Sequence, residues 1–211
     1  SSPYQIAVAN GILYFFFNNK GITWQLWRSD GSEEGTTLLA GNLPGITWRT
    51  VSLNGLMYCV TGRTLWKSDG TNEGTRMVKS KMSNLMDLIV YSDSLFCCDN
   101  YLWKSDGTDT GTSKLVHPDP SQGFDLPRFP AIVKGNLFFS AFSFIHGPAL
   151  WKTDGTSTGT VMVKDIGPET DRSSPSPFNL ADIGGTLYFS TTDDLNGSIL
   201  WKSDGTGEGT V

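Results

Sequence analysis

The chain has 211 residues, 38% hydrophobic and 18% charged, with 24 Gly, 10 Pro and a formal net charge of −5. This composition belongs to a turn-rich globular protein and excludes a disordered chain. The acidic balance argues against a partner held through nucleic-acid phosphates, and no run of ~18 apolar residues is present to cross a membrane as a helix. Short aromatic and branched runs bounded by Gly and Asn predict strands. The first set is "YQIAVA" from Tyr4, "NGILYFFF" from Asn10, "LWRSD" from Leu26 and "TTLLA" from Thr36. The second is "WRTVSL" from Trp48, "NGLMYCV" from Asn54, "LWKSD" from Leu65 and "TRMVK" from Thr75. The third is "MDLIVY" from Met86, "SDSLFCC" from Ser92, "LWKSD" from Leu102 and "SKLV" from Ser113. The fourth is "RFPAIV" from Arg128, "KGNLFFS" from Lys134, "LWKTD" from Leu150 and "TVMVKDI" from Thr160. The fifth is "FNLADI" from Phe178, "GGTLYFS" from Gly184 and "LWKSD" from Leu200, after which only Thr210 and Val211 follow Gly209. No segment carries a helical period over three turns.

One phrase organises these strands. "LWKSDGTNEGT", residues 65 to 75, recurs with small changes around Trp27, Trp66, Trp103, Trp151 and Trp201, at spacings of 39, 37, 48 and 50 residues. Such periods with four strands per unit predict a five-bladed β-propeller, an all-β fold of four antiparallel strands per blade. The blades are expected near residues 3–41, 46–80, 84–116, 127–166 and 177–211, in a single domain 1–211. The shortened last repeat leaves an open arc of a larger propeller as the alternative. Within the phrase, Asp30, Asp69, Asp106, Asp154 and Asp204 are expected to accept backbone N–H groups of their own turn, and the Gly that follows supplies positive φ. The second Gly is expected at a bulge or the turn exit. The five tryptophans are expected to pack between neighbouring blades. Arg28, Lys67, Lys104, Lys152 and Lys202 alternate with them and are expected to pair with nearby carboxylates. A calcium role for the five Asp is the weaker reading, because each turn supplies one invariant carboxylate and calcium needs several oxygen donors. No metal or cofactor site is expected.

These residues resemble the bacterial ELWxxDGT repeat family, whose pattern "ELWKSDGTxxGTxxVKDI" is approached most nearly by "LWKTDGTSTGTVMVKDI" from Leu150. The leading Glu of that pattern is replaced by Gln25, Thr64, Tyr101, Ala149 and Ile199. The turn is also similar to the Asp-box of sialidase propellers, which is structural. The resemblance implies a secreted or cell-surface protein with propeller-like repeats and implies no defined activity.

Aligned on the turn before the second strand, two rows fall near one mouth of the expected channel: Tyr4, Trp48, Met86, Arg128 and Phe178, then Gln5, Arg49, Asp87, Phe129 and Asn179. Polar groups beside aromatic faces suit a sugar, so Tyr4, Gln5, Trp48, Arg49, Asp87, Arg128, Phe178 and Asn179 form the candidate ligand row. A glycosidase needs two carboxylates at a set separation, and this row offers only Asp87, with Asp182 in another register. His117 and His146 lie in loop-like segments, which weakens any Ser-His-Asp reading. The expected function is therefore a non-catalytic extracellular structural or adhesion module making protein contacts or self-associating. A lectin-like propeller binding glycans is the alternative. Apolar residues in the long hairpins, Ile22, Trp24, Phe144 and Ile145, mark candidate contact tips. Asn196 heads an N-G-S glycosylation sequon. Cys59 and Cys97 share a column with Phe15, Phe139 and Phe189, which predicts buried thiols rather than a bridge.

Overall fold

The computed structural model describes residues 3–19, 23–45, 49–83, 87–166, 176–193 and 197–211. Five antiparallel sheets follow one another along the chain. The first contains β1 (Tyr4–Ala9), β2 (Ile12–Asn19), β3 (Thr23–Ser29) and β4 (Thr37–Leu43) in that order. The second contains β5 (Thr50–Leu53), β6 (Leu56–Thr61), β7 (Thr64–Ser68) and β8 (Arg76–Lys79). The third runs β9 (Asp87–Tyr91), β10 (Ser94–Cys98), β11 (Leu102–Ser105) and β12 (Ser113–Leu115). The fourth holds β13 (Phe124–Val133), β14 (Asn136–Ser143), β15 (Gly147–Thr153) and β16 (Val161–Asp165). The fifth has three strands, β17 (Phe178–Ile183), β18 (Thr186–Asp193) and β19 (Gly197–Ser203). A 3-10 turn, Pro120–Gln122, sits in the connection before β13. No helix among the described residues is long and apolar enough to cross a membrane.

The chain divides into two compact units: residues 1–97 with 104–113, and residues 98–103 with 114–211. In the first unit, Ala9, Tyr14, Phe16 and Leu26 of the first sheet pack with Met57, Cys59 and Trp66 of the second. In the second unit, Val133, Phe138 and Leu150 of the fourth sheet pack with Leu187, Phe189 and Trp201 of the fifth. Register explains the pattern. Phe15 pairs with Trp27 and Phe189 with Trp201, so one face of each sheet carries the tryptophan. Tyr14 pairs with Arg28 and Phe138 with Lys152, so the other face carries the basic residue. In each unit the basic face of one sheet meets the tryptophan face of the next, and Trp66 and Trp201 pack in that contact. The rings also stack on their own sheet, with centroids 5.8 Å apart for Phe189 and Trp201 at an interplanar angle of 8°.

Cys59 lies in this packing. Cys59, Cys97 and Cys98 are buried and outside any disulfide. Burial pushes the Cys59 thiol up to about 12, which keeps it protonated and unreactive at neutral pH.

Candidate functional site

The recurring corner is built identically five times. Each Asp Oδ1 accepts the backbone N–H two residues on at 2.8–2.9 Å and the hydroxyl of that same residue at 2.7 Å. That hydroxyl oxygen accepts the N–H of the second glycine at 2.9–3.0 Å. Before the Asp, Ser29, Ser68, Ser105, Thr153 and Ser203 share a hydrogen bond of 2.6–2.8 Å with Thr36, Thr75, Thr112, Thr160 and Thr210. These bonds hold the Asp30, Asp69, Asp106 and Asp204 carboxyls below the usual carboxylate range. At Asp30 the Ser32 backbone N–H is the larger cause; at the other three it is the hydroxyl of Thr71, Thr108 or Thr206. An oxygen so committed to its own loop is a poor cation ligand. Among the described residues no group of three His, Cys, Asp or Glu is placed to hold a metal ion.

Both glycines have a steric cause. The first takes φ between 87° and 98° in all five turns, as the sequence predicts. It also receives a neighbour: a Cβ on Gly107 would stand 2.2 Å from the Tyr58 hydroxyl, and one on Gly70 would stand 2.5 Å from Ile12. The second glycine lies at the turn exit and not at a bulge. A Cβ there would lie 2.0–2.1 Å from the Asp Oδ1, so the carboxylate itself demands glycine. Register shifts occur instead one strand back, between Leu26 and Trp27, Leu65 and Trp66, and Leu150 and Trp151.

In three repeats the basic residue of the phrase donates to a main-chain carbonyl instead of the expected carboxylate. Arg28 Nη1 donates to the Gly70 carbonyl at 2.9 Å, Lys67 Nζ to Gly107 at 2.7 Å and Lys152 Nζ to Gly205 at 2.8 Å. Each acceptor is the first glycine of the following repeat's corner. A second row repeats the device: Lys164 Nζ donates to the Gly207 carbonyl at 3.2 Å, and Lys79 Nζ lies 3.0 Å from Asp109 Oδ1. The corner is thus the plug, and the preceding sheet's aromatic ring and cation are its socket.

The candidate ligand row behaves differently. In the first unit Tyr4 lies over Trp24 with ring centroids 5.4 Å apart, and Arg49 Nε meets Asp87 Oδ1 at 3.1 Å. Gln5 has φ 49°, and both polar atoms of its side chain are buried without a hydrogen-bond partner among the described residues. In the second unit Arg128, Phe129 and Phe178 line one cavity of about 360 Å³ with Ser140, Phe142 and Ser176. Phe129 (φ 54°) and Asn179 (φ 54°) repeat the left-handed backbone of Gln5, each inside a register break of its strand pair. Trp48, Met86, Ile22 and Asn196 lie outside the described residues.

A second cavity of about 310 Å³ in that unit escaped the sequence reading. Tyr101, Leu115, Val116, Pro120, Phe124 and Phe144 form its apolar wall. The connection before β13 shapes it. Asp119 Oδ1 caps the 3-10 turn through Ser121 N at 2.9 Å, and Gly123 leaves room for Phe144, whose ring would stand 2.8 Å from a Cβ there. Lys114 Nζ sits 3.2 Å above the Tyr101 ring centre, a cation–π contact at the cavity wall. Tyr101, Val116, Phe144 and Ile145 are exposed. The Pro-rich stretch "HPDPSQGFDLP" was the available signal, but composition alone reads as a surface loop.

No family model matches the chain, and no curated protein does. Among solved structures it is similar to a mutant puromycin hydrolase complexed with PGG, at 14% identity and a TM-score of 0.60, covering 100% of this chain and 39% of that one. It is also similar to a second structure of puromycin hydrolase, at 12% identity and a TM-score of 0.54, again over 100% of this chain and 39% of that one. The chain therefore spans about two fifths of those proteins. At such identity the likeness speaks to a β-propeller-like all-β fold alone.

Proposed function

We propose that the five sheets are five consecutive propeller blades of the ELWxxDGT type, and that the chain is a non-catalytic extracellular module that makes protein contacts. The observation that carries this reading is the exposed apolar wall formed by Tyr101, Val116 and Phe144 around the 310 Å³ cavity. Clustered apolar exposure of this kind is typical of protein contact surfaces. The five-fold corner supports the non-catalytic reading, because its carboxylates are engaged in their own turns and three of its cations in joining repeats. Asp87, the one carboxylate of the candidate row, is held by Arg49.

A lectin-like role is the second reading. The Gln5 amide, buried without a partner among the described residues, favours it, since such groups are completed by water or ligand. The Arg128 cavity with its phenylalanines adds a sugar-sized recess.

Adhesion to the surface of the producing cells separates the two. Adhesion abolished by trypsin pretreatment of the cells, spared by periodate oxidation of their glycans and lost in Phe144→Asp is expected. Adhesion spared by trypsin and lost on periodate treatment, together with a positive glycan array weakened by Arg128→Ala, would establish the lectin instead.

A further inference from the structure

We propose that the cavity beside Arg128 binds a small monocarboxylate with an aromatic body. The site is separate from the apolar contact wall and goes beyond the protein-contact reading. It lies wholly within the second unit, on the first strand pair of the fourth sheet and the start of β17. Phe129, Phe142 and Phe178 supply its aromatic surface, Ser140 and Ser176 its hydroxyls, and Arg128 the one charge of the described lining.

The backbone is built around the arginine. The register of β13 and β14 breaks on both sides of the Arg128–Ser140 pair, between Asp125 and Arg128 and again between Arg128 and Ala131. Each break holds a left-handed residue that also lines the cavity: Leu126 at φ 53° and Phe129 at φ 54°. The first and fifth sheets carry one break in the same strand pair, at Gln5 and Asn179. The second break is therefore an addition to the repeat rather than a requirement of it. A left-handed leucine persists only where its surroundings enforce it, and here the Leu126 N–H donates to the Asn100 carbonyl at 3.1 Å. Bulges re-aim the side chains beside them, and the residue enclosed by this pair is Arg128.

The lining selects the ligand. Arg128 is exposed, and no ion pair among the described residues engages it. A guanidinium takes a carboxylate through two parallel N–H donors. One cation balances a monoanion, whereas a phosphate monoester carries nearly two charges. Phe129 is 39% exposed and Phe178 half-buried, which leaves aromatic surface for a flat apolar body. A sugar of that size needs partners for several hydroxyls, and beyond the arginine the polar side chains of the described lining are two serines. The volume of about 360 Å³ is at the small end for ligand sites, which fits a single ring on a short carboxylate arm.

Isothermal titration with phenylacetate tests this. The wild-type chain is expected to bind one equivalent with a Kd of ~0.1–1 mM, the range open to a ligand of about ten heavy atoms. Arg128→Met keeps the aliphatic stem and removes the charge, and phenylacetamide keeps the ring and removes the charge from the ligand. Each change is expected to weaken binding roughly tenfold, the effect of one charged hydrogen-bonded contact. In Arg128→Met the acid and the amide are expected to bind alike. Galacturonate, a carboxylate on a hydroxylated ring, is expected to bind the wild type about tenfold more weakly than phenylacetate. If Arg128→Met fails to fold, the acid and amide on the wild-type chain make the same comparison. A phenylacetate Kd above ~10 mM, equal binding of acid and amide to the wild type, or undiminished phenylacetate binding in Arg128→Met would each overturn the proposal. Galacturonate bound as tightly as phenylacetate would overturn it too and return the recess to the lectin reading. Trypsin-sensitive adhesion without phenylacetate binding would leave the proposed function standing while this proposal falls. Phenylacetate binding without adhesion would do the reverse.

Discussion

The corner turns and the first-strand starts hold equivalent places in every repeat, yet they differ in kind. All five corners share one hydrogen-bond set, a positive φ at the first glycine and a carboxylate packed against the second. The first-strand positions share only a left-handed backbone in three of the five (Gln5, Phe129 and Asn179), and their side chains diverge: an orphaned amide, an arginine ion-paired to the next carboxylate, a phenylalanine on a cavity wall. Repetition in this chain marks what joins one sheet to the next, and variation marks where the surface is available for recognition. A positive φ at Phe129 costs of order 1–3 kcal/mol that surrounding packing must offset, so the left-handed row is held by its sheets rather than by local preference.

The comparison breaks most visibly at the first glycine of a corner. Gly107→Ala places a Cβ 2.2 Å from the Tyr58 hydroxyl at φ 87°, and is expected to cost about 3 kcal/mol in urea unfolding at constant m-value. Gly159→Ala is expected to cost less, about 1–2 kcal/mol, because the Asp154 carboxylate it displaces can swing into solvent at the loss of its turn bonds.

Asp69→Asn sharpens the electrostatic part. The Asp69 carboxyl is depressed in the folded chain, so its contribution is full above the unfolded value near 3.9 and is lost as pH falls through the lower folded value. Acid titration of stability should therefore be shallower below about pH 4 in Asp69→Asn, with the variant less stable than the wild type at pH 7 and closer to it at pH 2. An unchanged acid limb would show that the corner carboxylates do not contribute. The smallest effect belongs to the variable row: Arg128→Ala is expected to leave the thermal midpoint within ~1 °C of wild type, and any change it makes should appear in binding.

Much of the frame was legible from residue patterns. The bounds of β1 and β17 fall where "YQIAVA" and "FNLADI" lie, because alternating branched residues between Gly and Asn leave few other options. The corner chemistry was legible because Asp and Gly act on their immediate neighbours. The partner of the basic residue was not. Its acceptor is a main-chain carbonyl 40 to 53 residues away, and a carbonyl leaves no mark on residue identity. The second glycine was placed at the turn exit, as expected, but the reason for glycine there was not legible: a carboxylate folding back onto it is a tertiary fact of the loop. The apolar cavity was hidden because Tyr101 comes from a hairpin and Phe144 from another, brought together by a proline-rich connection whose composition gives no path.

The central claim is that in three repeats the phrase joins one sheet to the next through a cation on a glycine carbonyl. Thermal unfolding of Lys67→Met beside Lys202→Met tests it most directly. Lys67 donates to Gly107, so its replacement is expected to cost about 1.5 kcal/mol, a fall of ~3–6 °C in midpoint. Lys202 occupies the same place in its repeat but opens on the recess of the fifth sheet, so its replacement is expected to move the midpoint by less than ~1 °C. Equal shifts at the two positions would contradict the account.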